Sequence, residues 1–210
     1  MDHYNVCLQS CISRANAHQI IVYYDFPGVG SSWDSAHTLP KIDWVQTENT
    51  AEHRLSVLFD TGGFYCTLDM IFLKSWELLR HNNAVVASQL VQRKKIYNYV
   101  IGSVAASDFI AEYANAYDAT DMIPYDIVER NDVTLLKRNA FYPVAISSKD
   151  FYKGSLPNLM TSYSIHLWNT KNLTLAKLRK SGIGPEVDKI LDPSKNITPI
   201  KITSGLCSFD

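Results

Sequence analysis

The chain has 210 residues, of which 46% are hydrophobic and 20% charged, and its formal net charge is −1. This composition excludes a disordered or low-complexity chain and provides for one well-packed core. A net charge near zero argues against non-specific binding of nucleic acid, which a strongly basic chain would favour. The sequence also has no apolar run long enough to span a membrane. We therefore expect a single domain over residues 1–210, with no nucleic-acid partner and no membrane span.

Hydrophobic spacing predicts helices and strands in alternation. A helix is expected at 5–14, and the β-branched and aromatic run Ile20–Tyr24 predicts a buried strand. Apolar residues at helical spacing predict a helix over 52–60, which ends at Gly62-Gly63. The remaining expected elements are strands at 64–68 and 84–87, a short helix capped by Ser75, a helix at 107–117, a strand at 133–136 and a helix at 173–180. This alternation predicts an α/β fold with a largely parallel sheet.

The segment from Arg54 to Asp69 combines residues suited to bind an anion and a metal ion. A predicted helix carries Arg54, a double-glycine turn reverses the chain, and a predicted strand delivers Asp69 to the edge of the sheet. Arginine suits phosphate or carboxylate, and aspartate is a hard oxygen ligand for Mg²⁺ or Mn²⁺. From spacing alone, a structural ion pair between the two side chains is the alternative.

This segment resembles the sugar-nucleotide-binding signature of the α-1,4-glycosyltransferase and capsular-polysaccharide-synthesis group. In that signature Ser-Asp-x-x-Arg is followed by seven residues, then by Gly-Gly-[Ile/Phe]-Tyr and Asp-x-Asp. Arg54, Gly62, Gly63, Tyr65 and Asp69 fall in register with it. Further blocks that resemble the family follow in the same order: Asn98-Tyr-Val-Ile, Phe141-Tyr-Pro143 and the segment from Ser162 to Asn169.

The resemblance implies a GT-A type, Rossmann-like α/β fold with a mostly parallel sheet flanked by helices. It implies transfer of a hexose from a nucleotide sugar, usually a UDP-sugar, to a hydroxyl of a glycan or glycolipid with retention of configuration, and it implies Mn²⁺ or Mg²⁺ as cofactor. It assigns the metal to Asp69 and His166 and the acceptor cleft to Asn98. Seven residues would contact the donor: Arg54, Gly62, Gly63, Tyr65, Thr67, Asp69 and Trp168.

Three features depart from the family pattern. Thr67 stands where the family has the first Asp of Asp-x-Asp, and Ala51 stands in place of the Asp that precedes its arginine. The chain also opens inside what would be the family's first helix, so the resemblance predicts a sheet without the usual first strand. These departures favour an alternative: a catalytically inactive relative that binds a sugar or a partner.

Two further interpretations stay open at this point. His166 lies in an apolar run, where a buried core histidine is the ordinary interpretation. As for compartment, the family resemblance implies the Golgi or secretory lumen if a membrane anchor precedes residue 1, and the cytoplasm otherwise.

Overall fold

The computed structural model describes residues 3–28, 30–48, 51–90, 95–118, 120, 122–144, 159–168 and 173–192. The helices in these residues are α1 (His3–Arg14), α2 (Ser31–His37), α3 (Ala51–Thr61), α4 (Asp108–Asn115), α5 (Tyr125–Val128), α6 (Leu175–Lys180) and α7 (Gly184–Leu191). The strands are β1 (Ile20–Tyr24), β2 (Ile42–Gln46), β3 (Gly63–Cys66), β4 (Met70–Phe72), β5 (Ala84–Leu90), β6 (Lys95–Ser103), β7 (Met122–Ile123), β8 (Val133–Leu136) and β9 (Ser164–His166). Short 3₁₀ turns cover Glu77–His81, Arg138–Ala140 and Leu159–Thr161.

The α/β class expected from the sequence is confirmed. Strands β1 and β8 have the predicted limits, and the helices predicted at 52–60 and 107–117 correspond to α3 and α4. The prediction that β1 is buried is wrong, because its residues are partly exposed and Ile21 is 40% exposed. Ser75 also takes part in the turn predicted after it, because its hydroxyl accepts a hydrogen bond from the backbone N–H of Glu77 at 3.1 Å.

The prediction of a largely parallel sheet is wrong, because the main sheet is mixed. Its order is β3-β6-β5-β8, with β7 also paired to β6. Only β5 and β8 are parallel; the pairs β3–β6, β5–β6 and β6–β7 are antiparallel. The antiparallel pairing of β5 and β6 follows from the short connection between them, because β5 ends at Leu90 and β6 begins at Lys95. A connection this short joins antiparallel neighbours, whereas parallel neighbours need a crossover of about a dozen residues or more.

Two smaller sheets complete the described strands. β1 and β2 form a parallel pair, and β4 pairs antiparallel with β9, with Met70 opposite His166. The β4–β9 pair connects segments almost a hundred residues apart in sequence. It therefore sets the chain that follows β3 beside the segment that carries His166.

The double-glycine turn after α3 is required by the backbone. The N–H of Gly62 donates to the carbonyl of Leu58 at 2.9 Å and so ends the helix. Gly62 has a φ of 67°, and a Cβ on it would lie 2.6 Å from the backbone nitrogen of Ala105. Only glycine fits this close approach without displacing the strand-to-loop segment that follows β6.

The hydrophobic core lies on both faces of the main sheet and beyond it. On one face α3 and α4 pack on the sheet through buried side chains such as Leu55, Phe109 and Tyr113. On the opposite face the core is aromatic and includes Trp76, Phe141 and Tyr142. A third cluster packs α1, α6 and α7 against β4 and β9. The candidate functional residues are therefore divided between the two faces of one sheet.

Candidate functional site

The backbone brings Asp69 and His166 together. Asp69 lies in the turn between β3 and β4, and Met70, the residue after it, pairs with His166 on β9. The N–H of Leu167 donates to the backbone carbonyl of Asp69 at 2.9 Å. The backbone pairing of the two strands therefore places Asp69 and His166 side by side, independently of the contact between their side chains.

Three polar side-chain atoms converge at this point. Nε2 of His166 lies 3.1 Å from Oδ1 of Asp69 and 3.0 Å from Oγ1 of Thr67. Asp69 is only 5% exposed and His166 only 4%. A carboxylate can only accept a hydrogen bond, so any hydrogen bond in this contact runs from Nε2 to Asp69. The site therefore combines one acidic, one imidazole and one hydroxyl group in a buried setting.

The second nitrogen of the His166 ring makes no hydrogen bond to any described residue. Its Nδ1 is buried and has no hydrogen-bond partner among the residues that the structure describes. A histidine that binds a metal ion through one nitrogen ordinarily donates from the other to a carboxylate, carbonyl or water. Coordination through Nε2 would move the ring hydrogen to Nδ1, where the described residues offer it no acceptor.

Aromatic rings surround the His166 side chain. Tyr99 stacks on it with ring centroids 4.9 Å apart, and Trp168 meets it edge-on at 4.3 Å. Trp168 has a φ of 60°, which is uncommon for a bulky residue, and its indole N–H donates to the carbonyl of Val144 at 3.1 Å. Both rings are thus positioned by packing and hydrogen bonding, and they exclude water from the imidazole.

The cysteines near this site do not add a nucleophile. Burial raises the pKa of Cys11 to about 12. Burial also raises the pKa of Cys66 well above its ordinary value, and the neighbouring Cys11 and Asp69 raise it further. Both are therefore neutral thiols at physiological pH, and a thiol is a far weaker nucleophile and metal ligand than a thiolate.

A second group of predicted residues lies on the α3–α4 side of the sheet. Arg54 donates to the hydroxyl of Tyr65 at 2.6 Å, and Nδ2 of Asn98 donates to the hydroxyl of Tyr113 at 3.1 Å. Arg54, Tyr65 and Asn98 line a pocket of about 10 Å³, which is room for about one water molecule. Oδ1 of Asn98 is buried without a hydrogen-bond partner among the described residues. This pocket presents a cation and an unsatisfied amide oxygen.

The residues that the resemblance assigns to the donor, the metal and the acceptor cleft therefore form two groups. Thr67, Asp69, His166 and Trp168 lie together on the aromatic face, whereas Arg54, Tyr65 and Asn98 lie on the helical face. Gly62 lies in the turn that leads into β3, and Gly63 is the first residue of that strand.

Sequence reasoning missed one residue at the centre of the site. Tyr99 follows Asn98 on β6, and adjacent strand residues point to opposite faces, so Asn98 faces α4 while Tyr99 faces His166. The signal for this ring was the pair of tyrosines at 97 and 99, which stack at 5.1 Å.

The comparisons with known proteins leave the family open: no family model and no curated protein matches the chain. Within the described residues, His, Cys, Asp and Glu side chains form no group of three or more that could hold a metal ion. A search of the same residues for a helix of the length and hydropathy needed to cross a membrane found none.

Proposed function

We propose that the protein transfers a hexose from a nucleotide sugar, a UDP-sugar in the first instance, to a hydroxyl of a glycan or glycolipid with retention of configuration. The observation that carries this proposal is the convergence of Thr67, Asp69 and His166 at the end of β3, beside two ordered aromatic rings. The resemblance of the segment from Arg54 to Asp69 to a donor-binding signature, from which Thr67 departs, supplies the reaction class.

Two separations among the converging atoms are compatible with the ligands of one hard divalent cation and equally with hydrogen bonds, and the group carries little charge. An octahedral Mg²⁺ site has bonds of about 2.1 Å, so neighbouring ligand atoms lie about 3.0 Å apart. The separations from Nε2 of His166 are 3.0 and 3.1 Å. Asp69 would supply the carboxylate that Mg²⁺ or Mn²⁺ prefers, with His166 and Thr67 as neutral donors. Such a cation would neutralise charge that develops on a departing diphosphate.

The chain's own side chains would perform the other tasks. Trp168 and Tyr99 keep water from the buried imidazole, which strengthens every electrostatic interaction there. On the other face of the sheet, Arg54 presents a permanent positive charge that Tyr65 holds in place. Asn98 offers an amide oxygen for a ligand hydroxyl. These groups orient and bind; no residue of the described chain is assigned as a covalent nucleophile.

A second candidate is a catalytically inactive module that binds a sugar or a partner. Thr67 and Ala51 replace two acidic residues of the signature, so Asp69 is the only carboxylate of the three converging groups. The unpartnered Nδ1 of His166 favours this candidate as well, because coordination through Nε2 would leave a buried N–H unpaired. Both candidates use the same site and differ in whether it holds a metal-bound nucleotide.

Thermal unfolding with ligands separates the two candidates. We would measure the melting temperature with UDP and a panel of UDP-sugars, with and without Mn²⁺. A ligand at a hundredfold excess over its dissociation constant stabilises the folded state by about 2.7 kcal/mol, which for a chain of this size raises the melting temperature by about 5–10 °C. The proposal expects a shift that requires Mn²⁺.

Two variants locate the effect. Asp69→Asn keeps the shape of a buried side chain and removes its charge, and it should abolish the Mn²⁺-dependent shift. Asp126→Asn, at an exposed aspartate on α5, is the matched control and should preserve the shift. A well-folded protein that shows no shift with any nucleotide would support the inactive module. A shift that Asp69→Asn leaves unchanged would refute the assignment of Asp69.

A further inference from the structure

An apolar groove runs between α3 and α4 on the outer side of the main sheet. Its volume is about 300 Å³, and its lining includes Leu55, Phe59, Ile110, Ala111 and Ala114. Phe59 is 38% exposed although it is a large apolar side chain. The start of α4 lies beside the end of α3, because the N–H of Ala106 donates to the carbonyl of Phe59 at 2.7 Å. Such a groove suits the apolar side chains of another helix.

The surroundings of the groove are acidic. Glu52 lines it, and α3 and α4 together carry four acidic residues, the others being Asp60, Asp108 and Glu112, against one basic residue, Arg54, which lines a different pocket. Residues 104–132, which include α4 and α5, contain seven acidic residues and one basic residue, Arg130, whereas the whole chain has a net charge of only −1. Arg130 is already engaged in ion pairs with Glu112 and Asp132. With histidine counted as neutral, the two helices that form the groove therefore carry a net charge of −3, which is more negative than that of the whole chain.

We propose that this groove docks a basic amphipathic helix of a partner protein. Apolar side chains at positions i, i+3, i+4 and i+7 of that helix would fill the groove, and lysine or arginine side chains beside them would face the acidic residues. The sign of the charge argues against nucleic acid and anionic membrane as occupants, because both would be repelled here. The inference stands on α3 and α4 alone and does not depend on the proposed transfer reaction.

The test uses a labelled synthetic peptide of about 14 residues, built from leucine and lysine with leucine at helical spacing. Fluorescence anisotropy with the full chain should show saturable binding that weakens as the salt concentration rises, because the charges are screened. A peptide with the same leucine pattern and glutamate in place of lysine should bind at least about tenfold more weakly.

Two matched variants place the peptide in the groove. Ala114→Arg fills the groove with a long cationic side chain, and it should weaken peptide binding about tenfold or more. Ala116→Arg makes the same change in charge two residues later, at an exposed position that follows α4, and it should have a much smaller effect. Both substitutions are on exposed residues, and the melting temperature of each variant reports whether it is folded.

Three results would overturn the proposal. One is the absence of saturable binding to the unaltered chain. Another is equal loss of binding in the two variants, which would show a general charge effect. The third is self-association of the unaltered chain in sedimentation that Ala114→Arg abolishes, which would make a second copy of this chain the occupant.

Discussion

Replacing Gly102 by alanine tests how the strand that leads to the candidate site is attached to the main sheet. Gly102 on β6 lies opposite Phe64 on β3, and a Cβ on Gly102 would lie 2.3 Å from a ring carbon of Phe64. The Phe64 ring also packs edge-on against Trp76, with centroids 5.2 Å apart, so it has little freedom to move away. The contact between Gly102 and Phe64 therefore attaches β3 to β6, and so positions the segment that continues from β3 to Asp69.

The magnitude follows from the contact. Overpacking of a formed core costs about 1–3 kcal/mol, and removal of a glycine from the unfolded chain returns about 0.5 kcal/mol. We expect Gly102→Ala to destabilise the protein by about 1–2 kcal/mol, which lowers the melting temperature by about 3–6 °C. In combination with Phe64→Leu, which shortens the opposing side chain, the added methyl group has room and the penalty should largely disappear.

The assay is a double-mutant cycle in urea-induced unfolding. Wild type, Gly102→Ala, Phe64→Leu and the double variant give a coupling energy, which we expect to be at least about 1 kcal/mol. Additive effects, with a coupling energy below about 0.5 kcal/mol, would refute the claim that the ring of Phe64 occupies the space above Gly102.

Two other predictions concern groups beside the two faces of the sheet. Tyr113→Phe removes the hydroxyl that accepts from buried Asn98, so urea unfolding should show a loss of about 1–3 kcal/mol; a loss below about 0.5 kcal/mol would contradict the bond. Hydrogen bonds from Arg130 lower the pKa of Asp132, so this pair stabilises the folded state above the unfolded pKa of about 3.9. The melting-temperature gap between wild type and Asp132→Asn should therefore be constant above about pH 5 and shrink as the pH falls through the lowered pKa; a gap that persists in acid would contradict this.

Much of the local structure could be predicted from the sequence because each such element follows one pattern. Strands β1 and β8 are short β-branched or aromatic runs, and α3 and α4 have one apolar face. The long strand β6 was not predicted because its alternation of apolar and polar residues is interrupted by a buried asparagine, Asn98. Its pairing with β5 is also irregular between Ile96 and Ile101. Strand β9 has only three residues, which is too short for a periodic signal.

The mixed sheet and the grouping of the site depend on tertiary pairing, which periodicity does not specify. Helix and strand alternation favoured parallel strands, although the short connection from β5 to β6 already required an antiparallel pair. Asp69 and His166 were associated through the family resemblance, and their contact depends on the β4–β9 pair. Tyr99 was overlooked because the pair of tyrosines at 97 and 99 marks an aromatic strand face but does not show that this face meets a distant histidine.

A carboxylate introduced at position 67 tests whether Thr67 alone limits metal binding. Oγ1 of Thr67 lies 3.0 Å from Nε2 of His166, so Thr67→Asp would place a second acid among the converging groups. Without a metal ion, two carboxylates in a buried site repel each other, and the variant should melt below the unaltered protein. With Mn²⁺ the order should reverse, because a second negative ligand raises affinity. A tenfold gain adds about 1.4 kcal/mol at saturating metal, or about 3–5 °C. If Mn²⁺ stabilises the variant no more than the unaltered chain, the lost acid is not what prevents coordination, and the unpartnered Nδ1 of His166 becomes the next group to test. The inactive module would then be the better description of this site.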